Sequence, residues 1–161
     1  MSFCAAPERA DFVAAYGALF EHSPWVAERA FAYAPFATKD TLHAAFMDAV
    51  NQATSDEQLA LIRAHPELGA KIALTDASTA EQQGAGLKAL TAEEFAEFQA
   101  LNAAYRAKFG FPFVICVRQH TKSSILAAFR ARLANDAPAE QQTALAQIGE
   151  IARLRLEDLH N

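Results

Sequence analysis

The sequence predicts an all-α fold of about eight helices in a single domain over residues 1–161. Three observations carry that expectation. Alanine, which loses no side-chain entropy on entering a helix, is the dominant residue type. Glycine and proline number six each and punctuate the chain between periodic segments, which leaves those segments free to run as helices. The only extended-looking run is Phe113-Val114-Ile115-Cys116-Val117, and one such run without a partner makes no sheet.

Each element follows from its start signal and its apolar stripe. Ser23-Pro24 reads as an N-cap followed by proline at the first helical position, with Trp25, Val26 and Ala30 behind it. Thr38 or Asp40 opens a helix that places Leu42, Ala45, Phe46 and Ala49 on one face. Ser55-Asp56-Glu57-Gln58 reads as a capping box ahead of Leu59, Leu61 and Ile62. Thr91-Ala92-Glu93-Glu94 is another, opening a helix with Phe95, Phe98, Leu101, Tyr105 and Phe109 at three- and four-residue steps. Lys122 to Ala134 lines up Ile125, Leu126, Phe129 and Leu133, and Gln141 to Leu159 lines up Leu145, Ile148, Ile151, Ala152, Leu156 and Leu159. The Phe113–Val117 run, placed after Gly110 and Pro112, is expected as a buried helix entry or a linker.

Composition removes several classes of function. Lys and Arg total 14 against 19 for Asp and Glu, and a net charge of -5 is the wrong sign for a nucleic-acid binder. A hydrophobic share of 52% against 20% charged is a globular balance and excludes disorder. No run reaches the roughly 18 apolar residues of a membrane span, and the N-terminus has neither a basic stretch nor an apolar core to serve as a signal peptide. Cys4 and Cys116 form neither a disulfide framework nor a CxxC pair, so a reducing cytoplasm is the expected home. His22, His43, His120 and His160 show no metal-ligand spacing. There is no GxSxG and no glycine-rich phosphate loop, so neither a serine nucleophile, a metal nor a nucleotide cofactor is expected.

Chemistry is expected where the helical pattern breaks. The least regular stretch is Ala64 to Gly86, and polar loops on a helical scaffold are common places for function. There His65 precedes Pro66, which fixes the histidine backbone and suits the first turn of a following helix. A ring near a helix N-terminus is favoured in its neutral form, fit for proton exchange near pH 7, although the same histidine also reads as a cap or a loop residue. Ser78-Thr79-Ala80-Glu81 is itself a capping box; beyond that, Glu81 offers a carboxylate that could orient a histidine, and Gln82 an amide that both donates and accepts. Arg118, at the end of the apolar run, reads equally as a bidentate carboxylate clamp or a structural ion-pair partner.

Three segments together carry a resemblance. His65-Pro66-Glu67-Leu68-Gly69, Ser78-Thr79-Ala80-Glu81-Gln82 and Phe109-Gly110-Phe111-Pro112-Phe113-Val114-Ile115 resemble the motifs of the 2-oxo-4-hydroxy-4-carboxy-5-ureidoimidazoline (OHCU) decarboxylases. Ser23-Pro24-Trp25-Val26 and the helix from Lys122 to Leu133 fit as well, so the resemblance covers nearly the whole chain. It implies an all-helical, cofactor-free homodimer that converts a small-molecule substrate to (S)-allantoin, the last step from urate, with neither nucleic acid nor membrane as partner. It further implies that His65 is the catalytic histidine and Glu81 its acidic partner. By the same resemblance Pro66, Ser78 and Gln82 line the substrate, Phe113, Val114, Ile115, Cys116 and Val117 offer backbone groups, and Arg118 falls near a carboxylate or ring contact. Gln119-His120-Thr121 departs from the smaller turn expected there.

The implied substrate explains the absence of a cofactor requirement, because its own C5=N imine accepts the electron pair released with carbon dioxide. Two other readings compete. One is a non-catalytic helical module for dimerisation or small-ligand binding, and the other a metal-dependent ureide hydrolase using His65 and Glu81 as ligands. Trp25, Phe31, Tyr33 and Phe36 are the aromatics available for a dimer face, although a chain with 12 phenylalanines must bury most of them.

Overall fold

The computed structural model describes residues 8–68 and 90–160. Among them are seven α-helices, three short 3-10 turns and no strand, so the all-α expectation holds. The helices are α1 (Arg9–Tyr16), α2 (Trp25–Ala30), α3 (Lys39–Asn51), α4 (Ser55–Arg63), α5 (Ala92–Phe109), α6 (Lys122–Arg132) and α7 (Ala137–Leu159).

Threonine starts four of them. Thr38, Thr54, Thr91 and Thr121 each accept, through the side-chain oxygen, the backbone N–H three residues on, and each of those residues returns a bond to the cap. The α4 box therefore starts one residue before the expected Ser55, because Glu57 stands three residues after Thr54. Ser23 does not cap α2; its hydroxyl donates to the Glu21 carbonyl at 2.8 Å, and Pro24 stands just outside the helix. Helix α7 starts four residues before the expected Gln141, because Asp136 Oδ1 accepts the Ala139 N–H at 2.8 Å and Pro138 suits a first turn. That start precedes the apolar stripe, so periodicity alone does not reveal it.

The described chain forms two compact units. In the first, residues up to Ala64 with those from Gly149 onward, Phe12 packs on Tyr16 with ring centroids 5.0 Å apart and Phe20 packs edge-on against Phe46 at 5.7 Å. Leu42, Val50, Leu61, Ile62, Ala152 and Leu156 are buried there too. Among the described residues Gly149 is the glycine that lies inside an α-helix, and a Cβ on it would stand 2.9 Å from Met47 Sδ. Its bare backbone lets α3 come close, and His43 Nε2 reaches the Gly149 carbonyl at 2.9 Å. Of the aromatics considered for a dimer face, Phe36 is buried, Trp25 and Phe31 are half-buried, and Tyr33 is 56% exposed.

The second unit, His65–Ile148, has an aromatic centre. Tyr105 packs against Phe109, Phe111, Phe113 and Phe129, and Phe113 stacks on Phe129 at 3.8 Å and 10°. Ile125, Leu145 and Ile148 complete the apolar surroundings. Each such side chain contributes about 1.5–3 kcal/mol by leaving water.

Candidate active site

Helix α4 closes at Ala64, whose N–H reaches the Ala60 carbonyl at 3.0 Å, and His65 is the next residue. The histidine is 8% exposed, Pro66 is half-buried and Leu68 is buried. Two side chains of α5 hold this segment. Asn102 Nδ2 donates to the Leu68 carbonyl at 3.0 Å in a buried setting, and Arg106 Nε donates to Glu67 at 2.7 Å on the surface. Residues 66–68 are not helical, so Pro66 does not stand in the first turn of a following helix as the sequence suggested.

The far end of α5 sets the second feature. Gly110 takes the left-handed conformation with φ 76° while its N–H caps Arg106 at 2.8 Å, a turn that favours glycine. The chain then enters Phe111–Val117, where every residue is buried and none is in regular structure until the 3-10 turn Val117–Gln119. Of the two forms the sequence allowed, a buried helix entry or a linker, the segment takes the second. Its main chain is held at named points: Arg132 Nη1 donates to the Val114 carbonyl at 2.7 Å, and the Cys116 N–H donates to Gln147 Oε1 at 2.9 Å. The Cys116 and Val117 carbonyls accept from the Gln119 and His120 N–H groups. Among the described residues, no hydrogen-bond partner meets the N–H groups of Val114 and Ile115 or the Ile115 carbonyl. Buried main-chain groups are nearly always paired, so these three call for a polar partner.

The structure thus places His65, Pro66 and Phe113, Val114, Ile115, Cys116 and Val117 in one compact unit, both segments anchored on α5. Arg118 belongs to the same unit but is exposed, outside the buried run. Ser78, Glu81 and Gln82 lie outside the described residues. No group of three or more His, Cys, Asp or Glu able to hold a metal occurs among the described residues, and no described helix is long and apolar enough to cross a membrane.

A buried polar network behind the linker escaped the sequence reading. Glu140 is fully buried and accepts from Arg132 Nε at 2.5 Å, the Tyr105 hydroxyl at 2.8 Å and Asn135 Nδ2 at 3.0 Å. Burial, then the bond to Glu140, pushes the Tyr105 hydroxyl far above the ordinary tyrosine range. The Arg132 guanidinium also lies over the Phe113 ring at 4.3 Å. The signal was available: Arg132 stands three residues after Phe129, and Glu140 four before Ala144, so each puts a charge on its helix's apolar stripe. Arg155, three residues after Ala152 on the apolar stripe of α7, forms a second buried pair with Glu21, which lies in a turn.

The described residues thus form a helical scaffold that buries a histidine and leaves main-chain groups of Val114 and Ile115 without a partner among them, features that suit a site for a small polar molecule. The chain belongs to the OHCU decarboxylase family, whose model, described as OHCU decarboxylase, matches residues 5–157. It is 46% identical over 147 residues to the 2-oxo-4-hydroxy-4-carboxy-5-ureidoimidazoline decarboxylase of Haloferax volcanii, covering 91% of this chain and 88% of that protein. Among solved structures it resembles an (S)-allantoin synthase with TM-score 0.76 and 33% identity, covering 94% of this chain and 50% of the other. It also resembles an OHCU decarboxylase crystallised in the presence of (S)-allantoin, with TM-score 0.70 and 26% identity over 84% of this chain and 89% of the other.

Proposed function

We propose that this protein is a carboxy-lyase that decarboxylates OHCU to (S)-allantoin in urate degradation, with the whole chain acting as one decarboxylase domain. Family membership supports the reaction, and one structural observation carries the site: the buried Phe113–Val117 linker, in which the Val114 and Ile115 N–H groups and the Ile115 carbonyl meet no partner among the described residues. A ureido group and an imidazoline ring present complementary donors and acceptors in one plane, which suits main-chain recognition.

The reaction balances without a redox partner. The bond from C4 to the carboxylate breaks and its pair forms C4=C5, while the C5=N pair moves to nitrogen, which takes a proton. The resulting enol then loses its hydroxyl proton to give the C4 carbonyl, and C5 takes a proton. One proton is consumed overall. In this reading His65 exchanges the hydroxyl proton, Glu81 polarises the imidazole, and one of the two, or a water they hold, protonates a single face of C5. Pro66, Ser78 and Gln82 complete the substrate lining, and Arg118 acts at its rim. The enzyme works as a cytoplasmic homodimer and requires no cofactor.

Circular dichroism of allantoin tests the proposal, with substrate generated in place from urate by urate oxidase and hydroxyisourate hydrolase. A fast (S)-allantoin signal that His65→Ala abolishes is the expected result. Racemic product at the unaided rate with the parent protein overturns the reaction, and full activity in His65→Ala overturns the role of that residue alone.

A further inference from the structure

The geometry points to Arg132 and Gln147 as positioning residues that pin the Phe113–Val117 main chain in its substrate-binding shape, an inference that rests on the reading just proposed. The two pins fall two residues apart, Arg132 on the Val114 carbonyl and Gln147 on the Cys116 N–H. In an extended chain, groups two residues apart share an edge, so pinning this edge leaves the N–H and carbonyl of Ile115 on the other. Those are main-chain groups with no partner among the described residues.

Both pins are themselves fixed. Glu140 and Gln147 stand seven residues apart on α7, two turns along one face. Glu140 holds Arg132, and is in turn held by Tyr105 of α5 and by Asn135 ahead of α7. The guanidinium suits this place because its fork reaches Glu140 and Val114 at once while its face lies on Phe113, which a point-like ammonium cannot do. Three helices therefore fix one carbonyl, and α7 supplies the second hold directly. Neither side chain needs to touch substrate. Their effect is on where Ile115 presents its donor and acceptor, hence on how firmly and in which pose the ring is held.

Gln147 is half-buried, so its variants can be expected to fold, and it makes the cleaner test. Initial rates on freshly generated OHCU give KM and kcat, and enantiomeric excess is read with enzyme in excess so that unaided decay contributes nothing. Thermal melts report the fold. Gln147→Leu removes the acceptor and is expected to raise KM about tenfold and lower the enantiomeric excess while kcat stays within about twofold, the size of one lost positioning bond. Gln147→Glu keeps an acceptor oxygen and should restore both. Arg132→Lys keeps the charge facing Glu140 but loses the fork, and should move KM and enantiomeric excess in the same direction. Parental KM and enantiomeric excess in a folded Gln147→Leu would overturn the inference, as would a loss of rate matching only the loss of folded protein. A parent enzyme that makes no (S)-allantoin above the unaided rate overturns the underlying reading itself.

Discussion

Arg155 Nη2 donates to Glu21 Oε1 at 2.8 Å, with both side chains within 8% of full burial, and Arg155 Nη1 reaches the Leu19 carbonyl at 3.3 Å. The pair ties the second half of α7 to the turn that leads into α2, inside the first unit. A buried pair adds little net stability over an apolar replacement, because desolvation offsets most of the attraction. Removing one partner is different, since the remaining charge stays buried. Glu21→Leu should cost about 3–5 kcal/mol. Adding Arg155→Met to it should recover most of that loss. Urea denaturation of the two variants measures both, and a single variant within about 1 kcal/mol of the parent would contradict the assignment.

The acid limb of stability should depend on Glu57. Its hydrogen bond with Arg29, then the Thr54 backbone bond of the α4 box, lowers its pKa from 4.5 to about 2. A carboxylate with a depressed folded pKa contributes stability that is present above its unfolded pKa and is lost as pH falls through the folded one. The contribution should therefore fade between about pH 4.5 and 2. Both side chains reach solvent, so salt should weaken it. Melting temperatures at pH 6 and pH 3 should differ less in Glu57→Gln than in the parent. Equal differences would show that the pair does not act in solution.

The helices were legible because their causes are local. A threonine with a partner three residues on, followed by an apolar stripe, is visible in sequence, and Thr91 with Glu94 was located to the residue. The start of α7 was not, because Asp136 and Pro138 precede any stripe and look like loop residues. The site divided in the same way. His65 and the Phe113–Val117 run stood out as breaks in a helical pattern, and both are buried. Arg118 stood out equally, yet it is exposed, because the 3-10 turn at Val117 carries the chain back to the surface. Arg132, Glu140 and Asn102 were hidden for the opposite reason. Each looks like ordinary helix polarity until its position on the apolar stripe is counted, and their partners are distant in sequence: Arg132 and Asn102 donate to the Val114 and Leu68 carbonyls, and Glu140 accepts from Arg132 and Tyr105.

Alkaline conditions should load on Tyr105. Its hydroxyl is buried against Glu140, and both effects hold its folded pKa above the ordinary value of 10. Above about pH 10 the unfolded chain releases a proton that the folded chain keeps, so stability falls as pH rises. Tyr105→Phe should remove that slope, and because Arg132 and Asn135 still hold Glu140, it should cost only about 1.5–3 kcal/mol at neutral pH. Denaturant midpoints at pH 8 and pH 10.5 read both quantities. An unchanged slope in the variant would place the alkaline sensitivity elsewhere.

Gly110 connects stability to the site. With φ 76° it stops α5 and turns the chain into the buried linker, while its N–H satisfies the Arg106 carbonyl. A Cβ there meets the left-handed penalty, so Gly110→Ala should destabilise by about 1–2 kcal/mol. Gly110→Asn should cost less, since asparagine tolerates that conformation. The alanine variant can relieve its strain by moving the Phe111–Pro112 turn, and the Ile115 main-chain groups follow three to four residues later. On the proposed reading KM for OHCU should therefore rise in Gly110→Ala and stay near the parental value in Gly110→Asn, with the order of stability the same. If the two variants lose stability as expected but bind substrate equally well, the turn ends the helix without setting the linker's shape, because the pins on Val114 and Cys116 absorb the shift before it reaches Ile115.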